Sequence, residues 1–218
     1  MTFPSLSDGT ARASTPRTNA MLDPMFDLAA LGPERVRPLR RREYEALVDL
    51  GVFADERIEL LRGVLVEMSP QGEPHSRITA WLAHRFARVL DIARYDVRSH
   101  SGFAASADSM PEPDVSVSRR TARGGHPNEA LLLVEVAETS LAKDRSIKTE
   151  IYAQAGVPEY WIVNVRKRAV EVLTRPSRSG YGRVVTRAIS DVLRPTRLRG
   201  VEIAVADIPW TSRSRKRR

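Results

Sequence analysis

Apolar and polar positions alternate along this chain in two rhythms, and each rhythm predicts its own elements. From about Leu39, the residues Tyr44, Leu47, Val48 and Leu50 keep a helical spacing, and Gly51 supplies a stop. Residues 57–68 predict two short strands turning at Arg62-Gly63. Ser69-Pro70 leads into a helix over about 74–92, with apolar positions Ile78, Leu82, Phe86, Val89 and Leu90. From Tyr95 the rhythm changes to that of strands: 95–99, then 102–106, then a break at Pro111-Glu112-Pro113. Asp114-Val115-Ser116-Val117-Ser118 alternates strictly, and 123–128 reads as a loop. Leu131 to Ala137 is nearly all apolar, which marks a strand buried on both faces. Ser140 opens a helix to Ala155, with Ile147, Ile151 and Ala155 as its apolar stripe, before Gly156 and Pro158. Segments 160–165 and 169–174 predict a hairpin across Arg166-Lys167-Arg168, and 184–189 and 201–205 are further strands. The order predicts a mixed α/β domain in which helices cover a central sheet.

Composition narrows this picture. The 218 residues suit one domain with appendages. Residues 1–37 read as a flexible N-terminal arm, 38–208 as the folded domain and 209–218 as a basic C-terminal tail. There is no cysteine, so disulfides, thiolate metal sites and cysteine nucleophiles are excluded together. No apolar run approaches the roughly 18 residues of a membrane span, and the first residues lack an apolar leader segment. A cytoplasmic protein away from membranes is the expectation. The net charge of +8 suggests an anionic partner, but five of those charges sit in the last six residues. Of the 35 basic residues 31 are Arg, a bias that genome composition alone also produces.

Four positions stand out as chemistry. Glu135 lies inside an otherwise apolar strand, where a carboxylate is costly unless a cation or a metal pairs with it. Pairing with one of the many Arg residues explains it as readily as a site does. Asp114 opens the preceding alternating strand, on the polar side; by itself it reads as solvated. If the two strands are neighbours, Asp114 and Glu135 converge at adjacent strand ends. Two carboxylates on a hard divalent cation are what phosphodiester hydrolysis requires. Lys148 borders the apolar stripe of the following helix, in line with Asp144 and Tyr152. It either snorkels to solvent or reaches the carboxylates to orient water or stabilise developing charge. Glu59 stands among Ile58, Leu60 and Leu61, either as a further carboxylate of the site or solvated at a strand start. His75, near the start of the second helix, is an accessory candidate for positioning phosphate or water. His84, His100 and His126 show no metal-ligand spacing and read as surface or structural. No G-x-S-x-G elbow, Walker-type loop or dinucleotide fingerprint is present.

Several stretches together resemble the Uma-type family of restriction endonucleases, a bacterial branch of the PD-(D/E)XK nuclease superfamily. They are Ile58-Glu59-Leu60-Leu61-Arg62-Gly63, Met68-Ser69-Pro70 with His75, Pro113-Asp114-Val115-Ser116-Val117, Leu133-Val134-Glu135-Val136, Asp144-Arg145-Ser146-Ile147-Lys148, and the run from Tyr152 to Val163. The last is the most specific. The resemblance covers about residues 38–208. It implies a restriction-endonuclease-like core, a mixed central sheet flanked by helices with its site at one strand end. It implies Asp114 and Glu135 as metal ligands, joined by Glu59 at the family's N-terminal acidic position. The superfamily pattern puts Lys two residues after Glu135, where Ala137 stands here. The family moves that Lys to the next helix, at Lys148. Where the family's hairpin turn often reads Gly-Glu, this chain has Gly63-Val64.

The expectation is therefore an endonuclease that hydrolyses DNA phosphodiester bonds with Mg²⁺, for which Mn²⁺ would substitute. A homodimer suits duplex cleavage, where two sites address two strands. The alternative is a non-catalytic nucleic-acid-binding or regulatory protein that keeps the nuclease fold and uses the basic tail.

Overall fold

The computed structural model describes residues 36–122 and 124–210. Residues 1–35 and 211–218, which hold most of the expected arm and tail, lie outside them. The chain divides into two units, Met1–Arg37 and Pro38–Arg218, and the second carries the fold.

Helix α1 (Arg41–Asp49) starts where the Glu43 carboxylate accepts the Arg40 backbone N–H at 2.9 Å. Strands β1 (Ile58–Leu61) and β2 (Val64–Glu67) pair antiparallel around Arg62 and Gly63, both at positive φ. That pair of left-handed residues is the turn whose twist matches two flanking strands. Gly63 is required twice over, because a Cβ there would lie 2.2 Å from the Pro38 Cβ. Helix α2 (Glu73–Val89) follows, with Pro in its first turn. It ends before the predicted 92, because Leu90 is already extended.

The central sheet has six strands in the order β3-β4-β5-β6-β7-β8. These are β3 (Tyr95–Ser99), β4 (Val115–Arg119), β5 (Leu132–Ala137), β6 (Glu159–Asn164), β7 (Ala169–Ser177) and β8 (Gly180–Arg187). Only β5 and β6 run parallel. Their crossover is the helical segment 141–154: α3 (Leu141–Lys143), a π turn (Asp144–Lys148) and α4 (Thr149–Gln154). The structure is thus a mixed α/β fold with a mixed sheet flanked by helices.

Strand β5 divides the core. Leu132, Val134 and Val136 pack with Ile78, Leu82 and Phe86 of α2, and with C-terminal residues from Leu193 to Trp210. Leu133 and Ala137 pack on the other side with Ile151 and Tyr152 of α4 and with Phe103. Burying each Leu-sized side chain contributes roughly 1.5–3 kcal/mol, so both layers hold the strand. Because both faces are covered, the polar side of β4 is buried too, Ser116 and Ser118 included.

Two expected strands change. Segment 102–106 is not a strand: Phe103 N–H bonds the Pro111 carbonyl at 2.8 Å and Ala104 N–H the Pro127 carbonyl at 2.9 Å, so its donors go to loops. Segment 201–205 shortens to β10 (Ile203–Ala204), paired with an unpredicted β9 (Val192–Leu193) and followed by a 3₁₀ turn (Val205–Asp207). Among the described residues no helix is long and apolar enough to cross a membrane.

Candidate active site

The antiparallel register sets Val115 against Val134 and Ser116 against Leu133. One step further places Asp114 beside Glu135, at the ends of two adjacent strands. Asp114 Oδ2 accepts the Val136 backbone N–H at 2.7 Å, which fixes the carboxylate to the neighbouring strand. His75 Nε2 lies 3.1 Å from the same oxygen. On the other oxygen, Gln71 Nε2 lies 3.4 Å and His100 Nδ1 3.5 Å away.

Glu135 is met from the crossover helix. Lys148 Nζ donates to Glu135 Oε1 at 2.8 Å, and the Tyr152 hydroxyl donates to the same oxygen at 2.7 Å. Lys148 Nζ also lies 3.1 Å from Glu59 Oε2, and Lys143 Nζ lies 2.6 Å from Glu59 Oε1. The Glu112 backbone N–H completes the Glu59 shell at 3.2 Å. Lys148 is only 2 % exposed, so it does not snorkel.

The π turn accounts for this reach. The Asp144 carbonyl is taken by the Thr149 hydroxyl at 2.8 Å and the Tyr160 hydroxyl at 3.2 Å. Side chains thus supply donors where the helical ladder widens, and π turns of this kind recur at functional sites. The widened turn carries Lys148 into the interior while Ile151 and Tyr152 still face the sheet.

A cleft of about 340 Å³ opens over this cluster. Asp114, Glu135, Lys148, His75, Lys143 and Asp144 line it. Glu59 does not; it is fully buried behind the two lysines. All five sequence candidates therefore meet in one cluster, with Glu59 joined to Glu135 through the Lys148 ammonium that both carboxylates share. Reading the sequence missed Lys143, Asp144, Tyr152, Gln71 and His100. His100, read as surface or structural, is half-buried and stacks on His75 with ring centroids 6.3 Å apart. No spacing rule points to it, because a positive-φ turn at the end of β3 is what swings it toward Asp114.

Burial pushes Glu135 well above the usual carboxylate range; Lys148 opposes this, and Asp114, Asp144 and Glu59 add to it. For Asp114, burial is outweighed by the His75 hydrogen bond and charge, the Val136 N–H and Lys148, and its pKa lies below the usual value. Two neighbouring carboxyls are thus pushed apart, as in sites that handle protons. Glu59 is held low in the same way, burial being outweighed by Lys148 and Lys143. The Lys148 ammonium is raised despite its burial, by Glu135, Glu59 and Asp144.

The residues present suit a hard cation. Among the described residues no group of three or more His, Cys, Asp and Glu side chains forms a ready cation cage. A Mg²⁺ ion needs no such cage, since it is held by one or two carboxylates, waters and substrate phosphate. Asp114 and Glu135 offer those carboxylates on the cleft wall. Both donors to Glu135 fall on Oε1, and buried Asp144 Oδ1 has no hydrogen-bond partner.

A mixed sheet that carries carboxylates on two adjacent strand ends, met by a lysine from the following helix, is a nuclease-like fold. Residues 41–206 match the family model of Uma2, described as "Putative restriction endonuclease", and the chain belongs to that family. It is similar in fold to the crystal structure of "a putative nuclease belonging to DUF820" from Anabaena variabilis ATCC 29413. That likeness has a TM-score of 0.62 at 17% sequence identity, over 79% of this chain and 99% of that one. No protein of curated function matches the chain.

Proposed function

We propose that this protein is a divalent-metal-dependent endonuclease that hydrolyses DNA phosphodiester bonds. The observation that carries the reading is the buried lysine bonded to one of two carboxylates on adjacent strand ends, inside a cleft. Asp114 and Glu135 would hold Mg²⁺, or Mn²⁺ in its place. Bound there, the metal supplies charge to neutralise the phosphate and acidifies a coordinated water.

The chain's own residues do the rest. The Val136 N–H and His75 hold Asp114 in one orientation. Tyr152 and Lys148 hold Glu135 by one oxygen. The Lys148 ammonium donates to Glu135 and forms an ion pair with Glu59, and its remaining donor capacity serves the attacking water or a phosphate oxygen. Burial of that ammonium in a cleft strengthens its pull on the charge that develops at the phosphate. Both Glu59 oxygens are engaged, so Glu59 serves as the anchor of Lys148. The nuclease description of the Anabaena variabilis protein and the restriction-endonuclease description of the family both favour nucleic acid as substrate.

The test is cleavage of duplex, single-stranded and supercoiled DNA by the purified full chain. Expected is cleavage with Mg²⁺ or Mn²⁺ that chelation stops and that Asp114→Ala and Lys148→Ala abolish. Equal cleavage by wild type and both variants would trace the activity to a contaminant and overturn the assignment. Metal-independent DNA binding without cleavage would favour a non-catalytic binding protein.

A further inference from the structure

The cleft holds two lysines, and the chemistry above uses one. Lys148 is 2% exposed on the cleft floor, whereas the side chain of Lys143 is 27% exposed at the cleft wall. In an α-helix, residues five apart point about 140° away from each other. Here the π turn lies between them, and its i→i+5 pattern brings positions five apart nearly into line. Both ammoniums therefore reach the same carboxylate, that of Glu59. Lys148 divides its charge between Glu135 and Glu59, so the Lys143 ammonium is the positive group of this pair that faces the cleft mouth. Lys148 spends its hydrogen bond on Glu135; Lys143 makes its one hydrogen bond to Glu59 and keeps two donors without a partner among the described residues.

We propose that Lys143 is a substrate-binding residue. Its ammonium, fixed by Glu59 at the cleft mouth, takes a backbone phosphate next to the one that Lys148 addresses. This rests on the nuclease reading and adds a contact to it. Both ammoniums are held on one carboxylate and so lie side by side on the cleft wall, a placement that suits successive phosphates of one strand. The tight pair with Glu59 keeps the long side chain ordered before substrate arrives, which lowers the entropy lost on binding.

The lysine content makes the test direct. The chain has four lysines, Lys143, Lys148, Lys167 and Lys216, against 31 arginines, which amine-reactive esters leave alone. The wild-type chain is acetylated with and without duplex DNA, with Ca²⁺ in place of Mg²⁺ to slow cleavage. Labelling at each lysine is read by mass spectrometry, and fluorescence anisotropy records DNA binding in the same samples. DNA is expected to protect Lys143 about tenfold, the scale of a charge-assisted contact. Unchanged labelling of Lys143 in a sample that binds DNA overturns the proposal. A sample that fails to bind DNA removes the nuclease reading itself, and the proposal with it. In parallel, K143Q is expected to lower the slope of log affinity against log salt by about 0.9, and K143R to restore it. An identical slope for wild type and K143Q would also overturn the assignment.

Discussion

The two faces of strand β5 were given opposite tasks. On one, Leu132, Val134 and Val136 meet the α2 residues Ile78, Leu82 and Phe86 in an apolar layer. On the other, Glu135 sits between Leu133 and Ala137 and meets Lys148 and Tyr152. Six residues of one strand, all buried, thus serve both as core and as the floor of a cleft. The first face needs only volume and shape. The second takes four carboxylates and one lysine out of water, which is weak or negative for stability and is tolerated where the charges are paired. The difference teaches that stability and chemistry in this fold are separable by side-chain direction along a single strand.

That separation sets the expected size of each substitution. Lys148→Ala cuts deepest, because it leaves Glu135 with only a phenol and Glu59 with only Lys143 and the Glu112 N–H. It is expected to cost about 3–5 kcal/mol in denaturant unfolding and to remove DNA cleavage altogether. A variant that folds with wild-type stability and still cleaves would break the comparison at its centre. Leu82→Ala, on the opposite face, is expected to cost about 2–5 kcal/mol and to leave turnover per folded molecule unaltered well below the melting point. If it changed turnover as much as stability, the two faces would not be separable. Tyr152→Phe is the smallest and sharpest case, since it removes one hydroxyl and keeps the ring among Phe103 and Tyr160. It loses one donor to Glu135, so cleavage is expected to fall about 10–100-fold, the usual range for a residue that orients a metal ligand. Its unfolding free energy is expected to change by only about 1–2 kcal/mol.

Much of the architecture was legible because burial writes a period into the sequence. The apolar run 131–137 marked the doubly covered strand, and Arg62-Gly63 marked the hairpin turn. The carboxylate pair followed from two strand ends once their adjacency was granted, and the register of β4 on β5 supplies it. What stayed hidden depends on contacts far apart in the chain or on a local change of helix type. Glu59 reads from its neighbours either as a further carboxylate of the site or as solvated; burial excludes the second, and its partner Lys143 lies 84 residues away. The stripe Ile147, Ile151 and Ala155 predicted a regular helix with Lys148 on its border. The π turn widens that helix by one residue without changing its composition, so periodicity has no means of seeing it. Segment 102–106 has the apolar content of a strand, but its backbone donors are claimed by Pro111 and Pro127. His100 carries no spacing signal, because the turn after β3 alone directs it to Asp114.

The central claim is that Asp114 and Glu135 form a cation-binding pair with Lys148 held on Glu135. Crystals of the full chain soaked in Mn²⁺ test it most directly, through anomalous scattering from the metal. The account predicts a single strong peak in contact with both carboxylates, with the Lys148–Glu135 bond retained. A peak bound elsewhere, or no peak at Mn²⁺ concentrations that support cleavage in solution, would contradict it.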